Sequence, residues 1–144
     1  MKKLLSLALF LISAAVFSQP ISLPITWDQG GVDYTTSSFG GNTNSTPTVV
    51  DPTDATNTVL KINKPVGSQT WAGTTLGNGA VNNGGFPTAI PMTATDHFMT
   101  IRVRSTKPSG TQMMAKIENY TNNGIFVEKR VNTTVAAGQW ENMV

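Results

Sequence analysis

Residues 97–135 decide the fold, and they read HFMTIRVRSTKPSGTQMMAKIENYTNNGIFVEKRVNTTV. Apolar and polar side chains alternate along this stretch, which predicts extended strands with one apolar and one charged face. The predicted strands are 97–104, 112–118 and 125–135. Gly110 and the sequence Asn122-Asn123-Gly124 separate them, and such residues between alternating runs are typical of hairpin turns. We therefore expect the three strands to form an antiparallel meander.

Shorter extended segments precede this stretch, at 21–27, 33–39, 48–50 and 58–64. The sequence Asp51-Pro52-Thr53-Asp54 predicts a type I turn between the last two. No window predicts a helix. We therefore expect an all-β fold, an antiparallel β-sandwich of the jelly-roll type, over residues 19–144. A further strand begins near Trp140, shortly before Val144, so we interpret the domain as incomplete at its C-terminus with a truncated final strand.

The first 18 residues have the pattern of an export signal. Lys2 and Lys3 precede an uncharged stretch, 4–17, which is shorter than the about 20 residues that a membrane-spanning helix needs. We predict a signal peptide over 1–18, cleaved after Ser18, and a secreted or cell-surface protein. An uncleaved anchor is the alternative.

Composition argues against several classes of partner. The chain has 10 basic and 8 acidic side chains, and the two lysines of the export signal leave eight of each in the mature protein. With no net charge and no basic cluster, we expect neither a nucleic-acid nor a membrane partner. The chain contains no cysteine, which excludes disulfides, thiolate metal sites and a cysteine nucleophile.

Catalytic patterns are sparse. His97 is the only histidine, and its neighbour Asp96 cannot orient it in strand geometry. Glu118, Glu128 and Glu141 lie on separate predicted strands, whereas a glycosidase needs two carboxyl groups on either side of the bond that it cleaves. We expect no catalytic residues in this chain; whether the full-length protein is an enzyme stays open.

Exposed aromatic and charged side chains are the candidates for ligand binding. Trp71 ranks first because its small neighbours leave room for a ligand, and a flat ring can stack on the apolar face of a sugar. The alternative is that Trp71 belongs to the core. Polar and charged groups on one sheet face can bind sugar hydroxyls, or they can be an ordinary solvated surface. The carbohydrate-binding candidates are Trp71, Tyr34, Phe39, Arg102, Arg104 and Phe126.

The chain from Leu23 to Val144 resembles the β-sandwich carbohydrate-binding-module-like domains of secreted bacterial polysaccharide-degrading proteins, particularly cargo of the type IX secretion route. The segments that carry the resemblance are Leu-Pro-Ile-Thr-Trp27-Asp28, Val-Asp-Tyr34, Phe39-Gly40-Gly41, Val-Val-Asp51-Pro52-Thr, Lys-Pro-Val-Gly-Ser-Gln-Thr-Trp71-Ala-Gly73-Thr-Thr, Met-Thr-Ile-Arg-Val-Arg104-Ser, Ala-Lys116-Ile-Glu118-Asn and Ala-Gly138-Gln-Trp140-Glu. The resemblance implies a jelly roll that binds glycans, with a partner enzyme or sorting domain C-terminal to Val144. It also implies a structural calcium with Asp28 as one ligand.

We therefore expect a non-catalytic carbohydrate-binding module of a secreted multidomain protein, which holds polysaccharide near a partner catalytic domain. Two alternatives stay open. One is a structural or adhesive surface module, which predicts a buried Trp71. The other is the N-terminal fragment of a glycoside hydrolase, which requires active-site acids beyond Val144.

Overall fold

The computed structural model describes residues 19–42, 44–76, 86–119 and 121–144. The predicted export signal, 1–18, lies outside the described residues. The eight strands are β1 (Thr36–Phe39), β2 (Asn44–Asp51), β3 (Asp54–Asn63), β4 (Gly73–Leu76), β5 (Ile101–Arg104), β6 (Gln112–Asn119), β7 (Asn122–Asn132) and β8 (Trp140–Met143). Among the described residues there is no helix of the length and apolar character needed to cross a membrane.

The strands pair in four antiparallel, two-stranded sheets: β1 with β4, β2 with β3, β5 with β8, and β6 with β7. The all-β prediction is confirmed. Two of the sheets, β2–β3 and β6–β7, are hairpins of adjacent strands, whereas the other two join strands that are distant in sequence.

The predicted turn between β2 and β3 is confirmed. Pro52 and Thr53 connect the two strands, and Asp51 pairs with Asp54 across the turn. The carboxylate Oδ1 of Asp51 accepts hydrogen bonds from the backbone N–H of Thr53 at 2.8 Å and from its hydroxyl at 2.7 Å. An Asp that binds the backbone two residues ahead stabilises the turn that the sequence predicts.

The predicted meander is wrong in its pairing. β6 and β7 form a hairpin, but β5 pairs with β8, so the hairpin is inserted between two partner strands. The β5–β6 connection does not reverse the chain onto β5, because Gly110 and Thr111 bond instead to the backbone of Thr133, just after β7. Beyond Arg104, the carbonyl of Ser105 accepts the N–H of Gly138, which continues the β5–β8 pairing.

The register of the β6–β7 hairpin matches the predicted alternation only in part, because Lys129 lies opposite Ala115 on the side predicted to be apolar and Val127 on that side is 58% exposed. Ile117 pairs with Val127 and Met113 pairs with Val131, which places these four apolar side chains on one face. The opposite face carries charged side chains, including Lys116 opposite Glu128. Alternation within a strand depends only on neighbouring residues, and for this reason it is readable from the sequence.

The predicted first strand, 21–27, is wrong. This segment forms no strand, since Pro24 has no N–H to donate and Trp27 has φ of 66°, outside the β region. A single parallel bridge joins Gln19 to Val32 instead. Ile21 is nevertheless buried, and with Tyr34 and Met143 it makes up the buried apolar side chains of the described residues.

β4 is a strand that the sequence analysis did not predict. Its four residues, Gly-Thr-Thr-Leu, show no apolar alternation, and they are extended because they pair with β1. In this pairing Phe39 lies opposite Gly73, which sets the geometry of the site described next.

Candidate aromatic binding surface

Phe39, at the end of β1, and Trp71, just before β4, form a pair of exposed aromatic rings. The ring centroids lie 6.2 Å apart and the ring planes differ by only 11°. Trp71 is 59% exposed and Phe39 is 43% exposed, although burial of such side chains normally contributes about 1.5–3 kcal/mol each. The two rings are stacked, and each keeps part of its apolar surface exposed to solvent. We refer to Phe39 and Trp71 as the aromatic surface.

Two glycines let these rings lie close against the backbone. A Cβ at Gly73 would be 2.8 Å from Cζ of Phe39, with two further atoms of the same ring within 3.5 Å. A Cβ at Gly40 would be 2.8 Å from Cζ3 of Trp71, and the φ of 68° at Gly40 also favours glycine. The Phe39 ring therefore covers Gly73, while the edge of the Trp71 indole touches Gly40.

The loop that carries Trp71 is attached to the turn that follows Phe39. The N–H of Gln69 donates to the carbonyl of Gly40 at 2.9 Å, and the hydroxyl of Ser68 donates to the carbonyl of Gly41 at 3.1 Å. Within the loop, the Nζ of Lys64 donates to the carbonyl of Thr70 at 2.9 Å. These bonds hold Trp71 beside Phe39 before any ligand arrives, which reduces the ordering cost of binding.

The side chain of Asn42 connects the turn after Phe39 to β4. Its side chain is 2% exposed, and its Nδ2 donates to the carbonyl of Gly73 at 3.1 Å and to Oγ1 of Thr74 at 2.8 Å. Its Oδ1 is buried with no hydrogen-bond partner among the described residues. Asn42 thus stabilises the position of the Gly73 backbone, which the Phe39 ring contacts.

Tyr34, another carbohydrate-binding candidate, lies apart from the aromatic surface. It is 7% exposed, its ring centroid is 5.0 Å from that of Trp27, and its hydroxyl oxygen accepts the N–H of Gln29 at 3.3 Å. The structure places Tyr34 in the core beside Trp27.

Arg102 and Arg104 lie on β5, in a different sheet from Phe39. The guanidinium of Arg102 lies 4.9 Å from the ring centroid of Trp140, a cation–π contact. Arg104 donates from Nε to the carbonyl of Gly138 at 2.8 Å. Both arginines therefore have contacts with β8 or the turn before it.

Phe126 lies on the charged face of the β6–β7 hairpin. The Nζ of Lys116 lies 4.4 Å from its ring centroid, and the same Nζ is 2.7 Å from the carboxylate of Glu118. Arg130 and Glu128 form a second ion pair on this face, at 3.2 Å. Phe126 is half exposed, but a lysine already covers part of its ring.

Asp28, the calcium ligand implied by the resemblance, binds Thr58 at the middle of β3. Its Oδ1 accepts the N–H of Thr58 at 2.7 Å and the hydroxyl of the same residue at 2.5 Å. Calcium takes six to eight oxygen ligands. No group of three or more His, Asp or Glu side chains suited to a metal ion assembles in the part of the chain that the structure describes. The calcium site at Asp28 stays a prediction.

The buried carboxylate of Asp51 accepts several hydrogen bonds, whereas the sequence analysis recognised Asp51 only as a turn residue. It is 2% exposed; its Oδ1 accepts from Thr53 and from Nε1 of Trp140, and its Oδ2 accepts from Nδ2 of Asn57 at 3.0 Å. Burial opposes ionisation, but the hydrogen bonds from Thr53, Asn57 and Trp140 outweigh it and hold the pKa of Asp51 well below its usual range. With its donors supplied by the protein itself, Asp51 acts as a structural anion.

Of the sequence-predicted candidates, the structure brings together Phe39 and Trp71. The sequence analysis missed Asn42, Lys64 and the site roles of Gly40 and Gly73. The Gly40-Gly41 pair signals a turn, but which ring lies over which glycine depends on the β1–β4 pairing.

Comparison of the chain with protein-family models, curated proteins and solved structures gives no match. The functional argument therefore depends on the geometry of this surface.

Proposed function

We propose that the protein is a non-catalytic carbohydrate-binding module that binds polysaccharide through the aromatic surface. The observation that carries the proposal is the exposed, nearly parallel pair of Phe39 and Trp71, held in place by the loop and the glycines beneath it. Sugar rings have apolar CH faces, and stacking such a face on an aromatic ring removes apolar area of both partners from water.

The groups around the rings suit a hydroxyl-rich ligand. Gln69 and Thr70 in the loop, and Thr75 on β4, are exposed polar side chains close in sequence to Trp71. Small-molecule and glycan sites typically combine apolar contact area with a few polar groups that orient the ligand. Neutral amides and hydroxyls provide both donors and acceptors to sugar hydroxyls.

The exposed indole also bears on the alternative functions. A structural or adhesive module predicts a buried Trp71, so its 59% exposure favours the binding module. The hydrolase alternative depends on residues beyond Val144, and no observation on the described residues favours it.

The remaining parts of the proposal follow from the resemblance and from the sequence. The antiparallel pairs of strands are proposed to belong to a jelly-roll sandwich, and residues 1–18 are proposed to direct export to the outside of the cell.

A structural calcium at Asp28 is tested separately: calcium would raise the melting temperature of the protein but not that of Asp28→Asn. No response of either protein to calcium or to EDTA would remove calcium from the proposal.

Affinity electrophoresis through gels that contain β-glucan, xylan, mannan or alginate tests the function. We expect at least one polysaccharide to retard the protein, and Trp71→Ala to weaken binding by more than about fivefold, equivalent to about 1 kcal/mol. Phe39→Ala is expected to weaken binding as well.

Phe98→Ala is the matched control, because Phe98 is an exposed aromatic residue outside the aromatic surface. Circular dichroism of each variant reports whether the fold is kept. If no polysaccharide retards the protein, or if Trp71→Ala and the wild type migrate alike, the proposed function is wrong.

A further inference from the structure

Lys64 holds a positive charge beside the aromatic surface. Its Nζ donates to the carbonyl of Thr70 at 2.9 Å, and Thr70 directly precedes Trp71. An ammonium group has three donor hydrogens, of which this bond uses one. The contact fixes the position of the charge, since a free lysine side chain samples many rotamers, whereas this one is anchored to the loop that carries the indole.

The segments that build the surface carry no acidic side chain. Residues 34–50, which include β1 and all of β2 except its last residue, Asp51, contain no charged residue. Residues 55–95 contain Lys61 and Lys64 but no Asp or Glu. The two ion pairs of the described residues lie elsewhere, between Lys116 and Glu118 and between Arg130 and Glu128. The charge of Lys64 is therefore not cancelled by an ion pair in this part of the fold.

We infer that the aromatic surface selects anionic polysaccharides, whose uronate carboxylates or sulfate esters pair with Lys64 while a sugar ring stacks on Trp71. This inference rests on the proposed function and adds the chemical class of the ligand. A hydrogen bond between an ammonium and an anionic oxygen is roughly twice as strong as a neutral one. Residues 55–76, which include Lys64 and Trp71, contribute no carboxylate that would repel the anion.

Ligands that share one backbone provide the test. Oligosaccharides of β-1,4-linked mannose and of β-1,4-linked mannuronate have equal linkage and stereochemistry and differ at C6, a hydroxymethyl in one and a carboxylate in the other. A sulfated manno-oligosaccharide of the same length supplies the sulfate ester. Isothermal titration calorimetry of the wild type is expected to give a Kd for at least one anionic ligand about tenfold lower than for the neutral one, and the two anionic ligands tell carboxylate from sulfate recognition.

Lys64→Gln is expected to remove most of this preference, whereas Lys64→Arg retains it. Lys107→Gln is the matched control, because Lys107 is an exposed lysine in the β5–β6 connection. Raising the salt concentration is expected to weaken the binding of the anionic ligand and to leave the neutral one almost unchanged.

Equal Kd values for neutral and anionic ligands, or a preference that survives Lys64→Gln, would overturn the inference. In that case a loss of binding in Trp71→Ala still supports the proposed function. If Trp71→Ala binds all ligands as the wild type does, or if the wild type binds none, the proposed function fails and the inference fails with it.

Discussion

The indole Nε1 of Trp140 donates a hydrogen bond to Oδ1 of Asp51 at 3.2 Å, although the two residues lie 89 positions apart in sequence. The same Nε1 is 2.9 Å from Oγ1 of Thr53. This contact joins β8, at one end of the chain, to the turn between β2 and β3. Because the β5–β8 pairing begins at Trp140, the contact also ties that sheet to the β2–β3 hairpin.

Replacing Trp140 with Phe tests this contact. Trp140→Phe keeps an aromatic ring for Arg102 to cover but removes the N–H that binds Asp51 and Thr53. We expect a drop of several degrees in melting temperature, because the buried Asp51 loses one of its donors. Differential scanning calorimetry measures the change.

Trp27→Phe is the control, since the Trp27 ring packs on Tyr34. It is expected to change the melting temperature less than Trp140→Phe does. Equal changes in the two variants would mean that ring size, rather than the Nε1 hydrogen bond, sets the stability.

The low pKa of Asp51 predicts a dependence of stability on pH. The folded pKa lies below the unfolded value of about 3.9, so the ionised carboxylate stabilises the fold fully above about pH 5. This contribution is lost as pH falls below about 4 towards the folded pKa. Asp54, whose pKa is lowered by the hydroxyl and the backbone N–H of Thr56, contributes with the same sign.

Melting curves of the wild type and of Asp51→Asn between about pH 3 and 7 measure this dependence. We expect Asp51→Asn to be less stable at neutral pH and the difference to shrink as pH falls. Asp96→Asn serves as the control, because Asp96 is exposed. A difference between the wild type and Asp51→Asn that does not vary with pH would contradict the assignment.

Gly73→Ala tests whether the Phe39 ring must lie on β4. The added Cβ would be 2.8 Å from Cζ of Phe39, so the ring must move outward and tilt away from Trp71. We expect polysaccharide binding to weaken by roughly threefold or more, equivalent to about 0.7 kcal/mol, while the fold is kept.

Gly30→Ala is the matched control, because a Cβ at Gly30 would meet no atom within 4 Å. Fluorescence titration with the best ligand from the electrophoresis panel compares the two variants. Unchanged binding by Gly73→Ala would show that the position of Phe39 does not matter for the ligand.

Asn42→Ala is expected to destabilise the protein by about 1–3 kcal/mol, since the carbonyl of Gly73 and the hydroxyl of Thr74 each lose a hydrogen-bond donor at a partly buried position. Urea denaturation measures the change, and Asn142→Ala, at an exposed position on β8, is the control. A free energy of unfolding that stays the same in Asn42→Ala would contradict the role assigned to this side chain.

The candidate site was only partly predictable. Trp71 stands out in the sequence because small residues surround it, Phe39 is a further candidate, and both prove exposed. Their proximity was not predictable, because it arises when Phe39 pairs with Gly73 across the β1–β4 sheet. The role of Lys64 depends in the same way on the path of the loop, which brings its ammonium back to Thr70.

The sequence by itself determined the all-β class, the β2–β3 turn and the pairing of β6 with β7 in a hairpin. These features depend on alternation and on turn residues, which act over two to four neighbouring positions. Only the tertiary structure decided that β5 pairs with β8, that β4 pairs with β1, and that Trp140 binds Asp51. Long-range contacts determine which strands pair, because an alternating strand can pair with many others. Contacts between side chains that are distant in sequence, such as Trp140 and Asp51, select one pairing.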